Sequence, residues 1–353
     1  MAAIADALNA AKSACILPGI LIPRCGLGAE AVAVVEASGL PFAAMFMDKS
    51  ALDETHPQYI GMYDGKLMNE EIRSFVEGCD CVLGIGAMLT DFNSGAFTAR
   101  IDRLKSINIL HNSVRVGAAL YPNVAMQDVL AALAPTLTSK QVEAPQRQGL
   151  GEPVGQPHAK ISVEYLYPRW QQMLKPGDIL VAETGTSSMG MGFAHMPKDA
   201  TFHNQTLWGS IGWATPAAFG AALAAPQRRT ILITGEGSHQ LTAQEVSQFH
   251  RFGLKPIIFV LNNDGYLIER VLCKNGETYY NDLAPWRYHQ LPDALGCEGW
   301  CTARVTTCGE LDEAIRRAEG GGTGAYIEVV TDRYAASPLA QKLHESIATL
   351  YTA

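Results

Sequence analysis

Short apolar runs alternate with stretches of helical periodicity along the first third of the chain. The apolar runs are residues 15–22 (CILPGILI), 42–47 (FAAMFM), 81–86 (CVLGIG) and 107–110 (INIL). The segments between them, such as 29–38 and 69–77, are compatible with helices. Buried parallel strands covered by helices produce this alternation. Residues 1–138 are therefore predicted to form a central α/β domain around a parallel sheet.

A change of composition separates this domain from a second one. Residues 139–158 (SKQVEAPQRQGLGEPVGQPH) are rich in glycine, proline, glutamine and charge, which is typical of a linker. Apolar runs then resume at 178–182, 230–234, 256–261 and 325–330. Residues 159–335 are predicted to form a second α/β domain with its own parallel sheet. Residues 336–353 contain Ser-Pro at 337–338 and carry an apolar stripe, which predicts a closing helix.

One helix of the second domain is predicted to join two neighbouring strands. Residues 240–252 (QLTAQEVSQFHRF) place Leu241, Val246, Phe249 and Phe252 near one helical face, which we expect to pack on the sheet. Because such a helix connects parallel strands, the loops that follow those strands should meet at the same edge of the sheet.

Length, charge and cysteine content restrict the class of protein. The chain has 353 residues, of which 48% are hydrophobic, and a formal net charge of -8 without a Lys/Arg-rich run. Neither nucleic acid nor an anionic membrane surface is therefore an expected partner. No export signal and no apolar run of bilayer length are visible, so we expect a cytoplasmic protein. Eight cysteines in a chain of this length indicate small core side chains in a reducing compartment.

Two weaker patterns leave other sites open. Gly26 and Gly28 could hold a dinucleotide phosphate after the first strand, but the third glycine of that motif is missing and plain turn chemistry is commoner. A zinc site is conceivable from two close cysteine pairs, although neither has the usual two-residue gap: Cys79 with Cys81, and Cys297 with Cys301.

Polar loops follow two consecutive apolar runs of the second domain. Gly-Glu-Gly-Ser at 235–238 follows the first run, and Asn-Asn-Asp-Gly-Tyr at 262–266 follows the second. Both loops are expected at one edge of the sheet, so a carboxylate (Glu236) and an amide oxygen (Asn263) meet in a small volume that suits a magnesium diphosphate. The glycine of the second loop, Gly265, could turn its carbonyl towards the ion. Either loop could instead be an ordinary turn.

Together the two loops resemble the thiamine diphosphate signature, in which Gly-Asp-Gly opens a stretch that paired asparagines close. Four further blocks resemble the pyruvate and indolepyruvate decarboxylases, a thiamine-diphosphate-dependent 2-oxo acid decarboxylase family: AETGTS at 182–187, WGSIGWATPAAFGAALAAPQRR at 208–229, QLTAQEV at 240–246 and LNNDGYLIER at 261–270. VLGIGAMLTDFNSG at 82–95 is similar to that family's central domain. Glu236 departs from the family's aspartate, and its extra methylene could displace the ion or weaken its binding.

The resemblance implies thiamine diphosphate and Mg as cofactors and gives roles to individual residues. The metal ligands would be Glu236, Asn263 and the Gly265 carbonyl, and the diphosphate would lie among Gly185, Thr186, Gly237 and Ser238. Gly209 and Ile211 match residues that hold the aminopyrimidine, with Ile211 as a wedge unless it is a core residue. Glu269 matches the catalytic acid that faces the substrate, and a surface salt bridge to Arg270 is its alternative role.

The resemblance also bears on the substrate. Ser188 stands where the bacterial pyruvate-specific relative has a tryptophan, which implies a larger pocket. Ile268 and Leu272 flank Glu269 on one predicted helix and would line another wall. We therefore expect non-oxidative decarboxylation of a bulky 2-oxo acid, such as phenylpyruvate or indolepyruvate, in preference to pyruvate.

Members of the family begin with a further domain that binds the aminopyrimidine and supplies a glutamate and, in decarboxylases, a histidine pair. This chain begins with central-domain sequence and contains no His-His pair, so we expect that domain to be absent. The isolated chain should then be inactive and should require a separate pyrimidine-side chain in a homo- or hetero-oligomer. Alternatives are a catalytically incomplete binding or regulatory protein and a carboligase. Several apolar side chains should be uncovered: Met189, Met191, Phe193, Leu207 and Trp208.

Overall fold

The computed structural model describes the backbone of residues 1–350 and the side chains of residues 1–345. Two compact units divide the chain, Met1–Gln148 and a second unit that begins at Gly149. Each unit contains one sheet with helices packed on it. The predicted α/β class, with two domains built on parallel sheets, is confirmed.

The first unit is built on seven strands: β1 (Ala14–Pro18), β2 (Phe42–Ala44), β3 (Tyr59–Met62), β4 (Cys81–Ile85), β5 (Ser106–Leu110), β6 (Ser113–Val116) and β7 (Ala119–Pro122). Its helices are α1 (Ala2–Ala10), α2 (Leu21–Arg24), α3 (Gly28–Ser38), α4 (Glu70–Gly78) and α5 (Met126–Leu133). The strand order is β3-β2-β1-β4-β5-β6-β7. The first five positions pair in parallel, and β6 and β7 extend the sheet antiparallel.

The loop after β1 differs from the prediction. The apolar run 15–22 was predicted to be one strand, but β1 ends at Pro18. Gly19 then passes so close to the backbone of Gly86 that a side chain there would overlap its carbonyl group. The short helix α2 follows and separates β1 from the glycine pair at 26 and 28. Those glycines therefore do not form the strand-to-helix turn of a dinucleotide site.

The second unit has six strands: β8 (Ile179–Ala182), β9 (Thr201–His203), β10 (Thr230–Gly235), β11 (Ile257–Asn262), β12 (Cys301–Val305) and β13 (Ala325–Val330). Its helices are α6 (Val163–Met173), α7 (Thr186–Met191), α8 (Ala214–Ala224), α9 (Glu236–His239), α10 (Val246–Arg251), α11 (Leu267–Leu272), α12 (Leu291–Ala294), α13 (Cys308–Gly320) and α14 (Pro338–Leu350). Helix α14 corresponds to the predicted closing helix, whose last residues, 351–353, lie outside the described part of the chain.

All strands of this second sheet are parallel, in the order β12-β13-β11-β10-β8-β9. The chain moves outward from β8 to β9 and then returns to place β10 on the other side of β8. The strand order therefore reverses between β8 and β10. Ligands of open α/β sheets bind at the carboxyl ends of the strands beside such a reversal.

The predicted helix at 240–252 is shorter than expected, because α10 spans only Val246–Arg251. Val246 and Phe249 are fully buried, as the apolar stripe predicted. Leu241 and Phe252 were predicted to share that buried face, but both are about half exposed. Leu241 precedes the helix, and Phe252 follows it and contacts the ring of Phe219 at a centroid distance of 5.6 Å.

The stretch 139–158 forms no helix or strand, and the division after Gln148 falls inside it. Each half is bound to its own unit: the N-H of Lys140 donates to the Ser38 carbonyl, and the N-H of Val154 donates to the Glu164 carbonyl. The eight cysteines are all free thiols. No three His, Cys, Asp or Glu side chains converge as metal ligands among the described residues. None of the helices in that part of the chain has the length and apolar composition of a transmembrane segment.

Candidate cofactor site

The loops after β8, β10 and β11 surround a small cavity at the point where the strand order reverses. It is lined by Thr184, Gly185, Thr186, Ser187, Ile211, Gly235, Glu236, Gly237, Ser238, Asn263, Gly265, Tyr266, Leu267 and Ile268. Its volume is about 50 Å³. Pockets that enclose a cofactor-sized ligand have volumes of roughly 300–1,000 Å³. This cavity can therefore hold only one end of such a ligand.

Glu236 joins the loops that follow β10 and β11. Its Oε1 accepts hydrogen bonds from the backbone N-H groups of Asn263 (3.1 Å) and Gly265 (2.7 Å). Burial raises the pKa of Glu236 to about 7, and the hydrogen bond from Gly265 and the charge of Arg270 oppose that shift. The two polar loops are thus in direct contact, as the order of the parallel strands predicted.

Asn263 carries an unused ligand atom. Its side chain is 3% exposed, and its Oδ1 has no hydrogen-bond partner in the described structure. A buried polar atom without a partner costs about 1–3 kcal/mol, which a coordinated cation would offset. Three oxygen groups are then available near one another: the Oδ1 of Asn263, the Glu236 carboxylate and the Gly265 carbonyl. Such a set fits a hard divalent cation.

Gly265 provides that carbonyl and cannot be replaced without strain. Its φ of 138° is rare for other residues, and a Cβ would overlap the carbonyl oxygen of Asn281 and the guanidinium of Arg270. Its own carbonyl oxygen accepts one hydrogen bond, from the N-H of Leu267 at 3.0 Å. A second lone pair remains for an ion.

Arg270 holds the loop after β11 in place through its buried side chain. Its fully buried guanidinium donates to the carbonyl oxygens of Asn263 (3.3 Å) and Asp264 and forms an ion pair with Asp282 at 2.8 Å. Glu269 is exposed in the first turn of α11, and its side chain forms no ion pair with any described residue. The alternative role for Glu269, a salt bridge with Arg270, is therefore wrong, because Asp282 occupies that guanidinium.

Two hydroxyl-bearing residues line the cavity beside its glycines. Thr186 and Ser238 line the cavity, and neither hydroxyl has a hydrogen-bond partner among residues 1–345. Gly185 has a φ of 110° where α7 begins. A Cβ at Gly237 would lie 2.5 Å from the ring of Tyr266, so this glycine lets the ring pack beside the cavity. Unpaired donors beside close backbone turns suit phosphate oxygens.

The loop at 209–214 is held by a residue that the sequence prediction missed. Glu183, fully buried at the end of β8, accepts hydrogen bonds from the N-H groups of Thr184 (3.0 Å) and Ala214 (3.2 Å). The hydroxyl of Thr184 lies 2.7 Å from the carbonyl oxygen of Ser210. Burial raises the pKa of Glu183 to about 7, against the hydrogen bonds that it accepts. The only sequence signal was an acid that ends an apolar strand.

Two residues of that loop have predicted roles at the aminopyrimidine. Ile211 is 39% exposed and lines the cavity, so it is not a core residue. Gly209 has a φ of 59° and is exposed, outside the residues that line the cavity. The structure thus leaves Ile211 free to contact a ligand.

The predicted substrate residues lie in different places. Ile268 lines the cavity, whereas Leu272 is half-buried at the end of α11. Ser188 is buried in α7, where its hydroxyl donates to the Gly185 carbonyl at 3.1 Å. It does not line the cavity.

The predicted surface beside α7 needs correction. Met189 and Met191 were predicted to be exposed, but both are buried, because every residue of α7 is enclosed within the unit, with Gly190 against the ring of Tyr167. Trp208 is 80% exposed, as predicted. Phe193 and Leu207 are half-buried.

Comparison with known protein families decides the relationship. Residues 1–137 match the central domain of thiamine pyrophosphate enzymes, and residues 183–329 match their C-terminal TPP binding domain. The chain belongs to the thiamine pyrophosphate enzymes. The predicted family is confirmed, and every residue that lines the cavity lies inside the matched TPP binding domain.

Relatives of this thiamine pyrophosphate enzyme include decarboxylases. It is 36% identical over 335 residues to an alpha-keto-acid decarboxylase of Mycobacterium leprae, which covers 93% of this chain and 58% of the relative. The corresponding protein of Mycobacterium tuberculosis H37Rv is 37% identical over 312 residues, or 85% of this chain and 54% of the relative. This chain thus spans somewhat more than half the length of these relatives.

A solved structure shows the same fold. Benzoylformate decarboxylase from Polynucleobacter necessarius superposes with a TM-score of 0.72 at 20% identity, covering 94% of this chain and 64% of that chain. At this identity the likeness concerns the fold alone.

Proposed function

We propose that this chain forms the diphosphate side of a thiamine diphosphate site and takes part in non-oxidative decarboxylation of a 2-oxo acid. The observation that carries the proposal is the buried, unpartnered Oδ1 of Asn263 beside the Glu236 carboxylate. It lies inside the part of the chain that matches the TPP binding domain. The decarboxylase names of the relatives support the reaction type.

In this proposal magnesium joins the cofactor to the protein. Its ligands are Glu236, the Oδ1 of Asn263 and the carbonyl oxygen of Gly265. The diphosphate contacts Gly185, Thr186, Gly237 and Ser238, and the aminopyrimidine contacts Gly209 and Ile211. When bound, thiamine diphosphate supplies the carbon nucleophile and the electron sink that decarboxylation requires.

Glu269 is the residue that we assign to proton transfer. It lies one residue after Ile268, which lines the cavity, and its exposed side chain is free to face a substrate bound at the cavity mouth. Once carbon dioxide has left the substrate, a proton must take its place on the same carbon atom. A carboxyl group in that position can donate this proton.

A bulky 2-oxo acid is the proposed substrate, such as phenylpyruvate or indolepyruvate rather than pyruvate. The apolar side chain of Ile268, which lines the cavity, supports this choice, whereas Ser188 and Leu272 enter it only through the family resemblance. Discrimination of this kind amounts to about 1–3 kcal/mol for a methylene-sized change, so a ranking of rates is expected.

A pyrimidine-side domain on a separate chain is the proposed partner, in a homo- or hetero-oligomer. The cavity holds one end of a cofactor only, and large apolar side chains are exposed in the same unit: Trp208, Leu241, Tyr279, Tyr280 and Trp286. Aromatic side chains such as most of these are enriched in protein interfaces. The isolated chain is accordingly proposed to bind the cofactor weakly and to lack turnover.

Calorimetric titration of the full chain with thiamine diphosphate tests the cofactor site. We expect heat of binding with magnesium and none in excess chelator. Asn263→Ala should abolish this binding, while Asn112→Ala, at an exposed asparagine of the first unit, should preserve it. Equal affinity in magnesium and in chelator would exclude the metal bridge.

Reconstitution tests the reaction. The chain is mixed with the pyrimidine-side domain of an alpha-keto-acid decarboxylase, and aldehyde formation is followed with phenylpyruvate, indolepyruvate and pyruvate. We expect a higher kcat/KM for the aromatic acids and a loss of that preference in Ile268→Trp, which fills space at the cavity. Cofactor binding without aldehyde would favour a regulatory protein, and a condensation product would favour a carboligase.

A further inference from the structure

A second cleft lies wholly within the first unit. It has a volume of about 330 Å³ and is lined by Leu17, Met45, Val82, Gly84, Ala87, Leu89, Ile101, Arg103, Ser106, Asn108 and Arg115. Ile107 and Ile109 of β5 pack in the core with helices α1, α3 and α5. Since side chains alternate along a strand, Ser106 and Asn108 lie on the opposite face of the sheet. The cleft is on that opposite face.

The charge of this cleft is positive and uncompensated. The guanidinium groups of Arg103 and Arg115 have no ion-pair or hydrogen-bond partner among residues 1–345, and no acidic residue lines the cleft. This contrasts with the net charge of -8 on the whole chain. Two unpaired guanidinium groups at one cleft, with the amide of Asn108 beside them, provide donors for a carboxylate, which arginine binds through paired N-H groups.

The floor of the cleft is opened by a glycine in a central strand. Gly84 interrupts the apolar sequence CVLGI of β4, and a Cβ there would lie 2.7 Å from the Oδ1 of Asn108. Glycine within a strand weakens it and often marks a position where another group must approach closely. Here its lack of a side chain makes room for Asn108 and for the cleft above it.

The remaining walls are apolar. Leu17, Met45 and Val82 form the inner wall, and Leu89, which is 56% exposed, lies among the lining residues. A ligand that fits must therefore combine a negative group with an apolar body. The volume is within the range of about 300–1,000 Å³ that is typical of small-molecule sites.

We propose that this cleft binds a small monocarboxylate with an aromatic or branched apolar body. Arg103 and Arg115 hold the carboxylate, Asn108 adds a hydrogen bond, and the apolar walls cover the body. No residue of this cleft belongs to the cofactor cavity. The proposal is therefore independent of the function proposed above.

Calorimetric titration of the full chain with phenylacetate, in chelator and without thiamine diphosphate, tests this proposal. We expect saturable binding to one site per chain. Arg103→Gln and Arg115→Gln should each weaken it at least tenfold, and the double variant should abolish it. Arg317→Gln, at an exposed arginine of the second unit, is the matched control and should bind like the wild type. Gly84→Ala, which adds a methyl group to the floor, should weaken binding without a change of charge.

Two further probes identify the chemical groups that the cleft recognises. Phenylacetamide has the same shape without the charge and should not bind. Inorganic phosphate has charge without the apolar body and should compete poorly. Binding of phenylacetamide as tight as that of phenylacetate, equal competition by phosphate, or no saturable binding of phenylacetate would each overturn the proposal. Unchanged affinity in the arginine double variant, with the far-ultraviolet spectrum of the wild type, would overturn it as well.

Discussion

Replacement of Glu183 by glutamine should change how the stability of the second unit depends on pH. The buried carboxyl group has a pKa raised from 4.5 to about 7, chiefly because burial disfavours the charged form. Between those two pH values the folded state holds a proton that the unfolded state has released. The contribution of the neutral group is therefore complete below pH 4.5 and is lost as the pH rises through 7.

The size of the effect follows from that shift. Each pKa unit corresponds to about 1.4 kcal/mol, so a shift to about 7 makes the charged folded state about 3 kcal/mol less stable than an unshifted carboxylate would allow. Glutamine cannot ionise. The free energy of unfolding of Glu183→Gln should thus rise relative to that of the wild type by about 2–3 kcal/mol between pH 5 and pH 8.

Tryptophan fluorescence provides a selective assay. All five tryptophans lie in the second unit: Trp170, Trp208, Trp213, Trp286 and Trp300. Urea unfolding followed by their emission at several pH values therefore reports on the unit that contains Glu183.

A difference between wild type and Glu183→Gln that is constant from pH 5 to pH 8 would refute this reasoning. Glu298→Gln, at an exposed glutamate of the same unit, is the control and should show no change of slope. Glutamine also replaces one acceptor oxygen by an NH₂ group, so some pH-independent destabilisation is expected in addition. Only the slope against pH tests the buried charge.

Three further outcomes follow from the contacts around the cofactor cavity. Gly265→Ala should abolish magnesium-dependent binding of thiamine diphosphate, because its Cβ overlaps the Asn281 carbonyl; Gly253→Ala, which also has a positive φ but open space, should keep it in the same calorimetric assay. Arg270→Lys keeps the charge but loses the paired N-H donors to the Asn263 and Asp264 carbonyls and to Asp282. We therefore expect a free energy of unfolding in urea about 2 kcal/mol lower than that of the wild type, together with weaker cofactor binding. Wild-type values for both would contradict the role of the guanidinium. His239 is buried between Thr215 and Tyr326, and burial lowers its pKa to about 4. The stability that the neutral imidazole contributes to the folded state is therefore lost as the pH falls from 6.5 through 4. The unfolding of His239→Leu should depend less on pH in that window, as measured by acid titration of fluorescence.

The sequence predicted the parts of the fold that long buried strands determine. The runs at 81–86, 178–182, 230–234, 256–261 and 325–330 correspond to β4, β8, β10, β11 and β13, whose residues are almost all buried. Strands β3, β6, β7, β9 and β12 were not predicted. β9 has only three residues, β3 contains Gly61, and β12 is a partly exposed edge strand without an apolar run. Edge strands and short strands carry little hydrophobic pattern, so pairing with a neighbour decides them.

The contact between Glu236 and the Asn263 loop was predictable for a topological reason. Once β10 and β11 are recognised as neighbouring parallel strands, the loops after them must start at the same sheet edge. Their register, with Gly235 opposite Leu261, places the two loops within hydrogen-bond reach. This inference uses only strand order and length, which the apolar runs reveal.

Glu183, Arg270 and Ser188 depend on a different kind of information. Glu183 and Arg270 act by pairing with backbone groups that turns leave unused, namely N-H groups at Thr184 and Ala214 and carbonyl groups at Asn263 and Asp264. Which backbone groups lack partners is settled only when the loops are folded. Ser188 donates to the carbonyl of Gly185 three residues before it, and it is buried because α7, a helix of only six residues, takes its orientation from the side chains packed around it. Residue identity could therefore predict that the two polar loops meet at the candidate site, whereas the residues that hold those loops in position required the three-dimensional arrangement of the chain.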